Sequence, residues 1–475
     1  MYSVSDEFLK LMSSNIRPKT EPTITVKGED VEGNVVSLTW KPRNIKDMTY
    51  KRGIDPVGRS LPYMELTWTE IYYGKLTEEN YPEKYNNIVK YMSVELSFKQ
   101  QIGIFNTWKS ILDAGETWQS LFEKYNTWKR VKNNPNPPNI AYEKVTFPTM
   151  FLVAKPTISG QTITWTARDL FYFLNENASK NFITGINYRN PIRWLLLNER
   201  GNFLNSDEIF RALSKSQLEA DTTKDGNLDE PIIFDNTTKN LLMNYASIRN
   251  YYWDFKDNYI LLKNFTDLTE PTNSVFRFTG RIIKQYPQLT QNLDISAYSF
   301  KRYVAETDED NAYILSPSGI IDYQGEKFYK FLFKGFGKVL AGSVVPSNTI
   351  SKDAIVENDK ITVVPVNFNY YEEIIHTKKQ GEIFVEDNPL NPYSSSNSFI
   401  VDRFNLLNKW FSSQQYSMET NGLPNVAVET GDLAEVETNL FKNGKRVIKN
   451  AIVVGLELHY NGALTQKTLF HEVII

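Results

Sequence analysis

The sequence predicts an α+β protein rich in β-structure, and three observations carry that expectation. The segment from Pro424 to Ile475 alternates β-branched and polar residues and breaks only at turn signals. Two of those signals are Asn443-Gly444 and Asn461-Gly462. Asn-Gly between alternating runs is the strongest short-range hairpin mark, because type I′ turns need positive φ. Between 102 and 132 the apolar period changes from that of a strand to that of a helix.

The chain has 475 residues, so about two to four domains are expected. Apolar residues make up 41%, which excludes wholesale disorder. Tyr, Phe and Trp reach 13%, a share suited to pleated surfaces and interfaces. The 53 basic and 56 acidic residues leave a formal charge of −3. That balance argues against a dedicated nucleic-acid binder but does not exclude a protein lining a passage for DNA, where a neutral or acidic wall avoids trapping the polymer. The absence of cysteine rules out disulfides, thiolate metal sites and cysteine nucleophiles. The start, MYSVSDEFLKLM, has acids where a secretory signal has an apolar core. No apolar run approaches the length of a membrane span.

The elements follow in order. Residues 3 to 12 read as a short helix that Ser3 or Ser5 can cap, with Asp6 and Glu7 at its positive end and Pro18 and Pro22 stopping it. Strands are expected at Thr23–Lys27 and Val35–Trp40 around a Gly33-Asn34 turn. The turn Asp55-Pro56-Val57-Gly58-Arg59 leads into a strand at Tyr63–Tyr73, and Tyr91–Phe98 is another. Arg59 reads as a solvated turn residue, with contact to a neighbouring subunit as the alternative. Phe105, Trp108, Ile111 and Leu112, then Trp118, Leu121, Phe122, Tyr125 and Trp128, form an αα-hairpin bending at Ala114-Gly115. That hairpin covers an open sheet edge or wedges against a partner protein. Thr-Trp recurs at 107, 117 and 127, a spacing that does not keep the tryptophans on one stripe. NNPNPPN at 133 to 139 is a stiff linker.

Met150–Ala154 and Thr162–Thr166 read as strands flanking Ser159-Gly160. Thr166 and Asp169 make a T-x-x-D capping pattern for a helix that turns Leu170, Phe173 and Leu174 inward. LLMNYASIRNYYWDF reads as a helix, followed by a turn at Asp257-Asn258 and the strand YILLK. Strand runs at Val275–Gly280, Lys327–Phe333 and Lys360–Val366 follow. Beyond the serine-rich loop Asn388–Ser398, Ile400, Phe404, Leu407 and Phe411 form one helical stripe. In the closing meander Val426 and Val428 lead into Gly431-Asp432, and the long run through Val447, Ile448, Ile452, Val453, Val454, Leu456 and Leu458 ends at Asn461-Gly462. A meander this long has edges to hide, which closure into a small barrel or pairing with a partner would do.

No convincing catalytic set emerges, and no catalytic, cofactor-binding or metal-ligating residue is assigned. His376, His459 and His471 are the only histidines, none at metal spacing from another. His459 and His471 read as strand residues, paired or facing solvent. Arg168 and Asp169 read as a helix cap and a surface ion pair rather than a catalytic pair. Asp308-Glu309-Asp310 and Asp229-Glu230 read as solvated acidic loops, not a glycosidase dyad. DTTKDGNLDEPI at 221 to 232 places Asp221, Asp225, Gly226, Asn227 and Asp229 at calcium-loop offsets, but Thr223 holds the third position and Ile232 the place of the bidentate glutamate. KGFGK at 334 to 338 lacks P-loop spacing and reads as a glycine-eased strand bend. Lys442, Lys445, Arg446 and Lys449 form a basic hairpin, a solvated turn before it is a phosphate site.

Several of these pieces, in their order, resemble one family. A helix, then PNVAVETGDLAEVET, a hairpin, and ELHYNGALTQKT is similar to the closing segment of bacteriophage tail baseplate hub and tail-associated (Tal-like) proteins. The opening helix and hairpin, the DPVG turn before LPYMELTWT, the strand-to-helix passage TWTARDLF, and the helix, turn and strand across 236–264 resemble the same family. The anchors cover 1–100, 146–175, 236–264 and 400–475, with 276–390 carried by position.

The resemblance implies two hub-type β-barrel domains with α+β segments and the helical hairpin as an insert. It implies a first barrel domain at 1–180, an α+β domain at 181–275, a second barrel-type domain at 276–398, and a helix plus closing meander at 399–475. It further implies a virion protein of the phage tail tip, assembled in the host bacterial cytoplasm. As a trimer the protein would adapt a six-fold tail tube to a three-fold tip and form a gated channel for tape-measure protein and DNA. Its implied partners are sister copies, the distal tail or tail tube protein, the tape-measure protein, and tip, plug or receptor-binding proteins. DNA is transiting cargo, and neither cofactor nor membrane span is expected. Many such proteins continue into a wall hydrolase or fibrous stalk. Because this chain ends at Ile475 after the meander, the expectation is no enzymatic module and a separate protein at the tip. The alternatives are a receptor-binding protein that recognises host surface glycan, suggested by the tyrosines and tryptophans, and a wall-degrading enzyme.

Overall fold

The computed structural model describes residues 19–30, 32–58, 60–71, 92–102, 142–173, 250–256, 259–264, 283–316, 361–385, 397–412 and 414–473 as its main stretches. Shorter pieces lie at 181–184, 276–278, 319–323, 326–330, 335–339 and 350–351, with isolated residues that include Tyr2, Val4, Ser5, Phe8 and Leu9. The predicted calcium-like loop, Arg59, Asp229-Glu230, the 133–139 linker and Asn388–Ser396 fall outside the described residues, as does nearly all of the αα-hairpin. Gln119 and Glu123 of that hairpin are described as helical, with Gln119 Nε2 donating to Glu123 Oε1 at 3.3 Å.

The N-terminal strands are β1 (Thr20–Glu29), β2 (Val35–Trp40), β3 (Ile45–Gly53), β4 (Tyr63–Ile71), β5 (Ser93–Gln101), β6 (Tyr142–Thr146), β7 (Met150–Leu152), β8 (Thr157–Ser159) and β9 (Thr162–Arg168). The central ones are β10 (Asn181–Thr184), β11 (Tyr251–Lys256), β12 (Tyr259–Asn264), β13 (Phe276–Phe278), β14 (Ile283–Gln291), β15 (Ile295–Thr307), β16 (Tyr313–Leu315), β17 (Gly319–Tyr323), β18 (Glu326–Lys330), β19 (Gly335–Val339), β20 (Ile350–Ser351), β21 (Ile361–His376) and β22 (Glu382–Val385). Helix α1 (Asn397–Trp410) precedes β23 (Tyr416–Gly422), β24 (Leu433–Lys442), β25 (Lys445–Tyr460) and β26 (Leu464–Glu472).

Most of the described strands form one large sheet, with the path β14-β23-β26-β25-β3-β4-β9-β7-β5-β1-β2. The two ends of the chain therefore share a sheet: Gly455–Tyr460 of β25 pairs antiparallel with Met48–Gly53 of β3. The N-terminal part of this sheet curls. Trp68 and Trp165 lie opposite each other on β4 and β9 and stack at 5.7 Å. Trp40, at the end of β2, meets both rings at 5.4 and 4.9 Å although β2 stands at the far end of the path. Only the short 3₁₀ turn Pro42–Asn44 separates β2 from β3. Among the described strands no ladder joins β2 to β3 and no barrel closes. The reason lies in β3, whose two edges are taken by β4 and β25 over Met48–Gly53.

The run Ala451-Ile452-Val453-Val454 in β25 is apolar on both faces because both faces are covered. Ala451 and Val453 join the main core with Met48, Leu66, Trp68 and Phe470. Ile452 joins a second core with Tyr298, Phe384, Ile400, Leu407 and Trp410. That second core lies between α1 and the β21-β15-β22 sheet. The predicted stripe of α1 faces it: Ile400 and Leu407 are buried, and Phe404 stacks on Tyr298 at 6.0 Å.

Several expectations are corrected. YYWDFK is strand β11, not the end of a helix, because Asn250 turns left-handed (φ 57) and stops the helical run there. Val426 and Val428 sit in turns, not a strand, held by Asn425, whose side chain accepts from Ala427 N. Asn443 and Gly444 both have positive φ, as a two-residue type I′ turn requires. At Asn461-Gly462 only the glycine does, because the loop spans three residues between the paired Tyr460 and Leu464. Pro22, expected to stop the first helix, lies inside β1 where only β5 pairs it, so its missing N–H faces no ladder. The opening turn keeps its expected cap in Ser5, which accepts from Phe8 N at 3.2 Å and donates to Glu143 Oε2 at 2.6 Å.

Candidate assembly interface

Edge strands decide what a large open sheet does with other chains, because each edge presents unpaired N–H and C=O groups. The two ends of the main path differ. At one end, β14 carries Pro287 and two register shifts against β23, devices that blunt an edge. At the other end, β2 runs in unbroken register with β1 from Val35 to Trp40, without proline or bulge. Its first residue, Val35, is 85% exposed. The turn that precedes it is acidic: Glu29 and Glu32 face solvent, and Asp30 accepts from Glu32 N at 2.9 Å and Asn34 N at 2.8 Å. Those donors, led by Asn34, hold the Asp30 carboxyl below its ordinary pKa.

A second unpaired stretch belongs to β24. Its outer edge pairs with β13 only from Ala434 to Val436. Past a register shift between Glu437 and Phe441 the β24–β25 hairpin continues beyond that pairing as an arm. Among the described strands nothing pairs the outer edge of that arm. Its apolar residues are uncovered, with Leu440 39%, Phe441 64% and Ile448 42% exposed. At its tip Lys442 lies directly opposite Lys445. Like charges facing across a hairpin destabilise it by about 0.2–1 kcal/mol, so the pair does not serve the hairpin's own stability. The other two predicted basic residues have partners: Arg446 lies 3.7 Å from the Tyr286 ring and 3.6 Å from Glu437, and Lys449 pairs with Glu472.

A buried charged junction ties three parts of the chain together. Arg52 on β3 is fully buried. Its Nη2 donates to Asp254 Oδ1 at 2.9 Å and to Phe255 O at 2.6 Å on β11. Its Nη1 lies 3.4 Å from Glu429 Oε1 and 3.3 Å from the Tyr2 hydroxyl, while Nε has no hydrogen-bond partner among the described residues. Asp254 also accepts from Lys263 Nζ at 2.6 Å and Thr430 Oγ1 at 3.2 Å. Burial pushes the Asp254 pKa up, but Arg52 and Lys263 outweigh it and hold the carboxyl below its ordinary range. Sequence reading missed this cluster because its members come from 52, 254, 263 and 429, and no local spacing links them. The one available signal was Asp254 within the aromatic run YYWDF, whereas Arg52 in IKDMTYKRG stands among other charges.

The other candidates fall where their local structure puts them. Asp169 caps the 3₁₀ turn Leu170–Phe173, accepting from Tyr172 N at 3.1 Å and from Met64 N at 2.7 Å. Thr166 takes no part in that cap and pairs with Thr67 instead. Burial raises the Asp169 pKa to about 6 against the pull of those backbone donors. Arg168 pairs with Glu65 at 2.8 Å, the expected surface ion pair with a different partner. His376 is exposed at the end of β21, and His459 lies 3.2 Å from Thr49 Oγ1 and 3.5 Å from Asp47. His471 is buried, stacked 3.8 Å from the Trp410 ring, with Nε2 2.9 Å from Trp410 O. Burial lowers its pKa to about 4. Asp308 precedes a solvent-facing 3₁₀ turn at Glu309–Asn311, and Gly335–Val339 of the KGFGK run is strand β19. These positions are not brought together into one site.

No protein-family model matches the chain, and no curated relative matches it. It is similar to solved structures. One is the 43 kDa tail protein of prophage MuSo2 from Shewanella oneidensis, at 10% identity and TM-score 0.40, covering 95% of this chain and 98% of that one. Another is a tail protein from Neisseria meningitidis MC58, at 7% identity and TM-score 0.41, covering 95% and 96%. A third is an E. coli type VI secretion component described as similar in structure to the T4 tail proteins gp27 and gp5, at 7% identity and TM-score 0.35, covering 91% and 74%. Likenesses this distant leave function to be argued from the chain's own residues.

Proposed function

We propose that this chain is a structural component of a phage-type tail, the trimeric hub at its distal end. The observation that supports this reading is the edge of β2, unpaired among the described strands because β3 already has β4 and β25 as neighbours. A curled sheet that cannot close within one chain is suited to closing against sister copies. The motif resemblance supplies the context. In this reading the curled N-terminal sheet and the strands of 276–398 are the two hub-type barrels. Three copies set them alternately around a passage for tape-measure protein and DNA. The junction at Arg52 keeps the segments of each copy in register. The role is mechanical, without catalysis or cofactor, and the tape-measure, tail-tube and tip proteins are its partners.

The test is the mass of the full chain in solution together with a low-resolution image of the assembled particle tip. A closed ring of three copies with a central passage is the expected result. A monomer that binds host glycan without assembling would favour the receptor-binding alternative.

A further inference from the structure

The proposed ring leaves open which surfaces meet. We infer that the β24–β25 arm of one copy docks along the free edge of β2 in the next, with its Lys442–Lys445 tip against the acidic turn at Glu29, Asp30 and Glu32. This rests on the hub reading and names its contact. Four observations carry it. Both strands present unpaired backbone edges among the described residues. The tips are opposite in charge, basic on the arm and acidic on the β1–β2 turn. Both carry uncovered apolar residues, Leu440, Phe441 and Ile448 on one side and Val35 on the other. The facing lysines oppose the hairpin that holds them, a cost that an acidic neighbour would offset.

The occupant of the β2 edge is thus a second copy of this chain. Because the two surfaces differ, the contact is head to tail, the kind that generates rings when the rotation closes. Backbone pairing would supply affinity, while the charged tips set register and speed encounter.

The absence of native cysteine makes the test clean. Ser37→Cys on β2 and Asn439→Cys on the arm are prepared separately in the full chain and treated with a short bismaleimide, alone and mixed. The expected result is a cross-linked dimer from the mixture only. A charge-reversed arm (Lys442→Glu with Lys445→Glu) should weaken association about tenfold. Adding Glu29→Lys with Glu32→Lys on the partner surface should restore it. Dimers from Ser37→Cys alone, which Lys41 and Arg43 at the other end of β2 would permit, or from Asn439→Cys alone, would overturn the pairing. A ring-sized mass without the mixed cross-link would defeat this contact and leave the hub reading standing. A chain that stays monomeric and uncross-linked at every concentration would defeat both.

Discussion

Removing the Asp254 carboxylate is the sharpest perturbation of the junction that ties β3, β11 and the 425–432 turns together. Arg52 is 1% exposed and has Asp254 as its closest anionic partner, at 2.9 Å. In Asp254→Ala its charge stays buried, with Glu429 at 3.4 Å and Phe255 O to receive it. Orphaning one member of a buried pair costs about 3–5 kcal/mol. Arg52→Met should cost less, about 1–3 kcal/mol, because Asp254 keeps Lys263, Thr430 and the Phe255 N–H. The double variant Arg52→Met/Asp254→Leu removes both charges and should cost less than Asp254→Ala alone. Lys263, about a third exposed, can turn to water. Urea unfolding read by tryptophan fluorescence is the assay, since Trp253 is buried beside Asp254. A loss of this size moves the midpoint by about 1 M or more. Glu457→Ala is the control: its pair with Lys51 is solvent-exposed at 3.7 Å and contributes little. If Asp254→Ala shifts the midpoint no more than Glu457→Ala, or if the double variant costs the sum of the singles, the junction is not a coupled buried network.

Two buried groups should pull stability in opposite directions between about pH 4 and 6.5. His471, lowered to about 4, stays neutral when folded and is protonated when unfolded below about 6.5, so its contribution is lost as pH falls. Asp169, raised to about 6, holds a proton that the unfolded chain releases near 4, so stability declines as pH rises through that window. Asp169→Asn should steepen the acid loss of stability and His471→Phe should reverse its slope, both read as unfolding midpoints against pH; unchanged slopes would contradict the burial argument. Gly381→Ala would place a Cβ 1.8 Å from Asp294 O, where Glu382 N now bonds that carbonyl at 3.0 Å. It should detach β22 from β15 and lower stability by about 1–3 kcal/mol, seen as lost amide protection at Glu382–Val385. Trp165→Ala should cost about 3–5 kcal/mol, because it removes the ring that both Trp68 and Trp40 contact; a near-neutral effect would mean the sheet does not curl onto that cluster.

What the sequence made legible was local chemistry. Gly33, Gly160, Asn443 and Gly444 turn left-handed where turn residues were expected, since the need for positive φ is written in the residue itself. The α1 stripe was legible because its period is fixed by the helix. The 424–430 segment misled, since the alternation of Val426 and Val428 is equally satisfied by buried turns. Strand β23 escaped notice because YSMETNG has little alternation, and pairing with β26 and β14 supplies what its composition lacks. The union of β25 with β3 was illegible for a different reason: the partners lie some four hundred residues apart, and nothing local encodes which edge meets which. The Arg52 cluster and the burial of His471 depend on that same long-range assembly. The basic residues of the arm were visible, but not that two of them face each other on an unpaired edge.

The edge of β2 decides whether copies of the chain pair. Backbone hydrogen exchange at Val35–Trp40, followed across a dilution series of the full chain, tests it most directly. For the amides of β2 that face away from β1, the prediction is rapid exchange in the monomer and marked protection in the assembled form, with the proline-blunted β14 edge unchanged. Equal exchange of β2 in both states, or protection already complete in the monomer, would contradict it.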